Sequence, residues 1–519
     1  MPKESKVSNY LHDAYRDVKL PKKVRIFDTT MRDGDQTPGV SFTPEQKMRI
    51  ARQLDRLGVD TIEAGTPVAS EGEAKAISDI AKAGLKTEVC ALARPVQADV
   101  DAAIATGVGC VHVFISTSDI HIKYMLKKTQ QEVLNQAVKF VEYVKDHGVK
   151  VEFSAMDATR TDLGFLKKIF RATVAAGADR INVPDTVGVI TPKAMYGFIK
   201  ELRPVIKVPI SVHCHDDLGL AVANTLAAVE AGANQAHVTV NGLGERAGNA
   251  SLEEVVMALH ALYKVKTNIK TKLLVETSEL VQRLTGIVVP PNKAIVGSNA
   301  FAHVSGIHAH GVIRHPATYE PISPEEVGHH RRLALGKLTG KHSVEKHLSS
   351  MGITANDNQL LEITRKVKVL GDKGKEVTEP DLKAIAESVV GALPKEEKIV
   401  ELKEITVNTG NTITPTASVR LLVKGEERVG SATGVGPVDA AISAIRGAMA
   451  EAWKLELKEY HLNAITGGSN ALAEVTVKLE DEKGNLYLAK GVKEDVVLAS
   501  VDAMVNGINQ YFSVRKPRA

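Results

Sequence analysis

The stretch RINVPDTVGVITPKAMYGFIKELRPVIKVPISVHCH, residues 180–215, holds a β-rich run, a longer amphipathic stretch and a second β-rich run. RINVPDT opens it and ISVHCH closes it. The same rhythm extends in both directions. Further β-rich runs begin at 24 (VRIFDTT), 61 (TIEAG), 88 (EVCALAR), 110 (CVHVFIS), 150 (KVEFSAM) and 235 (QAHVTVNG). Helical patterns such as PEQKMRIARQLDRLG and TQQEVLNQAVKFVEYVKDHG lie between them. Several helices end on a glycine just before the next strand, at Leu57-Gly58, His147-Gly148 and Ala231-Gly232, as a left-handed cap requires. Eight βα units between residues 24 and about 265 predict an α/β fold of the (β/α)8 TIM barrel kind. A doubly wound open sheet is the alternative. The count of eight, and the lack of G-x-G-x-x-G after the first strand, favour the barrel.

The whole chain has 519 residues, too many for one core. Its 66 basic and 62 acidic residues leave a net charge of +4, which gives no reason to expect nucleic acid or an anionic membrane as partner. Cys90, Cys110 and Cys214 lack metal-site spacing and read as reduced thiols of a cytoplasmic protein. No apolar run reaches the ~18 residues of a membrane span, and the N-terminal residues hold no signal-like apolar segment.

Past residue 290 the βα rhythm stops. A loop-rich, His-rich stretch leads into helical patterns, and Pro394 with the charged run after it marks a boundary. Residues 397–515 contain a duplication. LKEITVNTG, TASVRLLVKG, RVGSATGVG and PVDAAISAIRGAMA are matched by YHLNAITGG, LAEVTVKLED, LYLAKGVKED and VVLASVDAMVNGIN. Each copy is three strands and a helix, and the pair suits either a ligand site at its joint or plain dimerisation. The expected division is an N-terminal arm (1–22), a catalytic barrel (23–285), helical linker subdomains (286–395) and an α+β regulatory domain (396–519).

Polar residues gather where barrel enzymes carry their chemistry, at the C-terminal strand ends. They include Arg32 and Asp33, Glu63, His121, Asp157, Thr186, His213 and His215, then Glu245 and Asn249. His213 and His215 stand two apart on a strand and so project to one side. A hydrogen-bonded core pair would account for an isolated H-x-H. Barrel closure, however, brings strands one, eight and seven together. Asp33, two imidazoles and the amide of Asn249 would then converge, a set suited to a divalent cation with open positions.

RIFDTTMRDGDQTPGVSF, IEAGTPVASEGE, SVHCHDDLGLAVANTLAAVEAGA and TVNGLGERAGNASLEEVV resemble the metal-dependent condensing enzymes that join acetyl-CoA to a 2-oxoacid. These are the 2-isopropylmalate, citramalate and homocitrate synthases. PPNKAIVGSNAFAHVSGIH looks like their linker, and GVGPVDAAISAI with YHLNAITGGSNALAEVTVKLE like their regulatory domain. The resemblance covers about residues 24–515. It implies Asp33, His213, His215 and Asn249 as ligands of magnesium, manganese or zinc, and acetyl-CoA as cosubstrate. It implies catalytic roles for Arg32, Glu245, His308 and Tyr319, and oxoacid contacts from Arg32, Thr186, His121 and Glu63. His308 and Tyr319 would cover the active site of a partner subunit, so at least a homodimer is expected. A leucine or isoleucine effector would sit near Gly434, Gly436, Pro437, Asp439 and Gly467. The expected activity is 2-isopropylmalate synthesis. Citramalate synthesis from pyruvate is the alternative, followed by homocitrate synthesis, a disabled oxoacid-binding relative, or a lyase, which the regulatory domain argues against.

Three positions depart from the family pattern. Met156 stands where the family carries Glu, and a thioether cannot transfer a proton. A loss of ~10²–10⁴ in turnover is expected if no other group, such as His308 with Tyr319, serves as base. Asp35 replaces a usual Glu, and Leu338 a usual His.

Overall fold

The computed structural model describes residues 7–373, 377–390, 398–450, 453–465 and 471–514. The chain divides into two compact units. One runs to Phe301 and takes in Glu320–Arg331; the other holds Ala302–Tyr319 and the chain from Arg332 onward.

The first unit is a closed parallel barrel in sequence order. Its strands are β1 (Arg25–Asp28), β2 (Thr61–Glu63), β3 (Glu88–Ala93), β4 (Cys110–Ser116), β5 (Lys150–Met156), β6 (Arg180–Asp185), β7 (Ile210–Cys214) and β8 (Gln235–Val238). All eight fall on the β-rich runs of the sequence. β8 closes on β1, with Arg25 opposite Gln235 and Asp28 opposite Val238. The run QAHVTVNG is shorter as a strand than as a pattern, because Asn241 turns the chain at φ 63°.

Helices form where the pattern places them, with local reasons for their ends. Thr43 and Gln46 make a capping box ahead of Pro44–Leu57, and Thr129 with Glu132 does the same for Gln130–Asp146. Gly58, Gly148 and Gly232 all have positive φ at the predicted caps. The apolar faces bury Ile50, Leu54, Val141 and Ile169 against the outer faces of the strands. Among the described residues ahead of the barrel, Tyr15 packs on it: its Oη donates to Glu230 at 3.0 Å and lies 3.2 Å from Tyr263 Oη.

The barrel interior is polar for a core. Glu152 accepts from Arg180 Nε (2.7 Å), Gln235 Nε2 (2.9 Å) and His237 (2.7 Å), all buried. His237 stacks on Phe27 at 3.9 Å. This hydrogen-bonded layer, in which His237 Nδ1 alone of the named groups is left without a partner, is the floor beneath the strand ends.

The second unit begins with β9 (Ala302–His303) paired to β10 (Arg332–Leu333). Three helices follow, Lys341–Ser350, Asp357–Asp372 and Glu379–Val390, around Val344, Ile363 and Leu382. The described residues then show both copies of the duplication. β11 (Val400–Asn408), β12 (Thr416–Val423) and β13 (Glu426–Thr433) form one antiparallel sheet, followed by helix Pro437–Met449. β14 (Leu455–Ala464), β15 (Ala473–Asp481) and β16 (Leu486–Lys493) form the other, followed by helix Val496–Val514. Both copies carry a register shift at the matching place, Leu402/Glu404 and Leu457/Glu459. No helix among the described residues is long and apolar enough to cross a membrane.

Candidate active site

The C-terminal mouth of the barrel encloses a cavity of about 260 Å³. Asp33 enters it from the turn after β1, anchored by its N–H to Thr29 O at 2.8 Å. β7 presents His213, and His215 continues the strand by bridging to Asn249. The Nε2 atoms of the two histidines are 3.1 Å apart. Asp33 Oδ2 lies 3.2 Å from one and 3.7 Å from the other. Asn249 comes from the loop after β8, where its Nδ2 donates to Leu243 O at 3.0 Å. That loop needs glycine: at Gly244, φ +153°, a Cβ would lie 2.0 Å from Asn249 Nδ2.

The electrostatics prepare these donors for a cation. Burial opposes the charge on Asp33, but Arg32 and then His213 outweigh it and hold the carboxyl well below its usual range. Burial lowers His213, and burial with the neighbouring His213 pushes His215 down to about 4, so both imidazoles are neutral near pH 7. Asp33 Oδ2 and Asn249 Oδ1 are buried without a hydrogen-bond partner. Ligand atoms of Asp33, His213 and His215 all lie within 4.8 Å of one another. One carboxylate, two neutral imidazoles and an orphaned amide oxygen fit a divalent ion, which would satisfy each of them.

Arg32 lies beside this cluster, 3.2 Å from Asp33 and 2.7 Å from Glu63 Oε2. Glu63 does not line the cavity. It is fully buried behind Arg32 and also accepts from Thr29 Oγ1 and His112 Nδ1, each at 2.6 Å. Burial works against its charge, while Arg32 and His112 hold its carboxyl well below normal. Glu63 therefore positions Arg32. Thr186 lines the cavity, and its Oγ1 accepts from Asp157 N at 2.8 Å. Glu245 stands on the exposed rim, beside Arg246, which is clamped to Asp217. His121 is outside the lining. It belongs to a cluster with Asp157 and Arg160, its Nε2 3.7 Å from Asp157 Oδ2.

The opposite wall is apolar: Leu92, Phe114, Met156 and Pro184. Beneath it run His112, Ser154 and Asn182, which the strand-end reading passed over. Their signal was the strand period. Each stands two residues before Phe114, Met156 or Pro184 and so faces the same interior, one layer down. Asp35, the shorter replacement for Glu, accepts from Phe42 N and pairs with Lys47 at 3.1 Å.

In the second unit His308 and Tyr319 are exposed, with ring centres 4.2 Å apart. Gly434, Gly436 and Pro437 form the turn into helix Pro437–Met449, and Asp439 Oδ2 accepts from Val435 N at 2.9 Å. Gly467 lies outside the described residues. A separate groove crosses β11–β13, lined by hydroxyls of Thr406, Thr416, Ser418, Ser431 and Thr433.

Three family models match: HMGL-like over residues 23–281, homocitrate synthase post-HMGL domain-like over 295–375, and LeuA allosteric (dimerisation) domain over 376–512. The HMGL-like family is divalent-metal-dependent and uses acetyl-CoA. A "Probable 2-isopropylmalate synthase" of Methanopyrus kandleri is 62% identical over 95% of this chain and 99% of its own. The 2-isopropylmalate synthase of Methanocaldococcus jannaschii is 57% identical over 97% of each chain. The (R)-citramalate synthase of the same organism is 52% identical over 94% of this chain and 99% of its own. With relatives this similar along nearly their whole length, the chain belongs to the family of 2-isopropylmalate and (R)-citramalate synthases.

Proposed function

We propose that this chain condenses acetyl-CoA with 2-oxoisovalerate and hydrolyses the thioester, yielding 2-isopropylmalate and CoA for leucine synthesis in the cytoplasm. The observation that carries the reading is an apolar wall facing the Asp33–His213–His215 cluster across one small cavity. A branched 2-oxoacid has that same division, a chelating head and an apolar tail.

Asp33, His213 and His215, with Asn249, would hold magnesium, manganese or zinc, which when bound supplies Lewis acidity to the substrate ketone. Arg32, a fixed cation held by Glu63, stabilises the oxygen on which charge grows. Thr186 binds the oxoacid carboxylate. Leu92, Phe114, Met156 and Pro184 receive the isopropyl group and keep water from it. His308 with Tyr319, supplied to the partner subunit's barrel, serves as base toward the acetyl methyl, and Glu245 on the rim carries protons for thioester hydrolysis. The division into arm, barrel, linker and regulatory domain accounts for a homodimer formed through residues 376–512 and inhibited by leucine or isoleucine.

The test is CoA-thiol release from acetyl-CoA with a divalent cation, comparing 2-oxoisovalerate, pyruvate and 2-oxoglutarate. Fastest release with 2-oxoisovalerate is expected. Preference for pyruvate would give the second reading, (R)-citramalate synthesis, which the relative at 52% identity keeps open. One methylene in an apolar pocket discriminates by only ~1–3 kcal/mol. Preference for 2-oxoglutarate would indicate homocitrate synthesis. Cation-dependent oxoacid binding with no release would indicate a binding relative.

A further inference from the structure

We infer that Asp157 is a positioning residue for the oxoacid: its backbone N–H fixes the hydroxyl of Thr186, so that this hydroxyl donates to the substrate carboxylate. The inference rests on the reading above that Thr186 takes that carboxylate, and it adds the residue that sets the hydroxyl's direction.

Asp157 follows β5 in the left-handed region, at φ 66° and ψ 37°. A residue other than glycine keeps that conformation only where its surroundings compel it, and Asp and Asn tolerate it best. Here the side chain is fully buried and gripped. Arg160 takes both carboxyl oxygens, with Nε 2.8 Å from Oδ1 and Nη2 2.8 Å from Oδ2. Ser118 Oγ donates to Oδ2 as well, and His121 Nε2 lies 3.7 Å from that oxygen. The carbonyl is held too: Asp157 O accepts from Thr161 Oγ1 at 2.9 Å, and Thr161 Oγ1 meets Thr117 Oγ1 at 2.7 Å. His121, outside the cavity lining, therefore bears on the oxoacid only through this clamp.

The clamp decides where the N–H goes. β5 and β6 pair in register as far as Ser154 opposite Asn182. Beyond that pair the Asp157 N–H leaves the ladder and is given to Thr186 Oγ1 at 2.8 Å. A second bond ties the same two segments, from Thr159 Oγ1 to Asp185 Oδ1 at 2.8 Å. Thr186 is held on its other side by Arg246, whose Nη2 donates to Thr186 O at 2.7 Å. A threonine hydroxyl has one proton and two lone pairs. Asp157 fills one lone pair, and among the described residues no acceptor takes the proton. Thr186 thus stands on the cavity lining as a donor. A carboxylate only accepts, so a donor of fixed direction is what it requires.

The kinetic consequence follows from charge. The oxoacid carboxylate stays ionised from bound substrate to product, so a hydrogen bond to it stabilises ground state and transition state alike. Its loss should raise KM and spare kcat.

The experiment uses the full chain loaded with Mn²⁺. It reads the Kd of 2-oxoisovalerate by calorimetry and, separately, kcat and KM from CoA release. Asp157→Ala removes the clamp and disfavours positive φ. It should raise Kd and KM by ~10-fold or more, with kcat changed by less than ~3-fold, because a hydrogen bond to a charged group carries a factor on the order of 10–100 in binding. Asp157→Asn tolerates the left-handed conformation and still accepts from Arg160, so its loss should stay below ~3-fold. In a Thr186→Ala background, Asp157→Ala should add nothing further. Arg160 is exposed, and Arg160→Met loosens the clamp from outside; it should raise Kd in the same direction and serves where Asp157→Ala does not fold. Unchanged Kd, a loss confined to kcat, an Asp157→Asn variant as weak as Asp157→Ala, or losses that multiply in the double variant would each overturn the inference. The carboxylate is common to 2-oxoisovalerate, pyruvate and 2-oxoglutarate, so the comparison runs on whichever the parent prefers. A parent that binds an oxoacid but releases no CoA overturns the condensation reading, and Kd alone then decides this inference. A parent that binds no oxoacid overturns both.

Discussion

Asp33 shows what a single side chain does here. Its Oδ2 faces both imidazoles and lies 3.2 Å from Arg32, yet it accepts no hydrogen bond, which leaves a lone pair open to an ion. Asp33→Asn keeps the shape and removes the charge. Affinity for Mn²⁺, measured by calorimetry, should fall by at least ~100-fold while the fold melts normally, since even outer-shell changes cost 10–100-fold. Unchanged affinity would mean that the ion, if any, sits elsewhere. Met156 poses the opposite case, a side chain that cannot do chemistry in a wall where a carboxylate would fit. Met156→Glu in the parent chain should recover at least ~10-fold in CoA release, the scale of a regained acid–base group. No recovery would show that position 156 is out of reach of the reacting carbon. These residues differ in how legible they were. Asp33, His213 and His215 could be read because strand alternation and barrel closure are geometric rules. Glu63 and His121 also stand at strand ends, yet they face Arg32 and Asp157 instead of the cavity. The strand-end rule gives a side chain's level, while its neighbours decide its direction.

At the scale of elements, the loop after β8 and the helix that follows it, Leu252–Ala261, behave as one piece. Asn241 N donates to Glu253 Oε2 at 3.1 Å, and Lys293 reaches Ser251 and Glu254, both at 2.6 Å. Glu253 itself is buried, and burial, eased by Lys293, pushes its carboxyl up to about 7. The sign follows from proton counting. Between about pH 4.5 and 7 the folded chain holds this proton more tightly than the unfolded chain, so stability falls as pH rises through that window. Glu253→Gln cannot ionise, and its amide oxygen can still accept from Asn241. The variant should melt close to the parent at pH 5 and above it at pH 8. Equal melting differences at both pH values would show that Glu253 is ionised throughout. Such a carboxyl was invisible in the sequence, where Ser-Leu-Glu-Glu reads as an ordinary acidic first turn. The eight strands were legible because each is a short apolar run between capped helices, and the same sequence hides which polar residues of those runs satisfy one another inside the barrel.

At the scale of the molecule, the two units raise a question of assignment. The barrel carries Arg32, Asp33, His213 and His215, while His308 and Tyr319 belong to the other unit, exposed and side by side. If that pair serves the barrel of a second copy, function is shared between chains in a two-fold assembly. Complementation tests this directly. His308→Ala has a sound barrel and a faulty linker; Asp33→Asn has the reverse. Each variant alone should release little CoA. Co-expressed, they form mixed dimers in which the sound barrel of one chain receives the sound linker of the other. With random pairing, half of the dimers are mixed and each has one complete site, so activity should return to about a quarter of the parent rate. If each linker serves its own barrel, every site in the mixture lacks one part and no activity returns. The duplicated sheets at the C-terminal end make the dimeric outcome the expected one, because residues 376–512 match a dimerisation domain. The repeat itself was plain in the sequence. Which chain's barrel its linker serves was not, since that depends on how two copies meet and not on the order of residues in either.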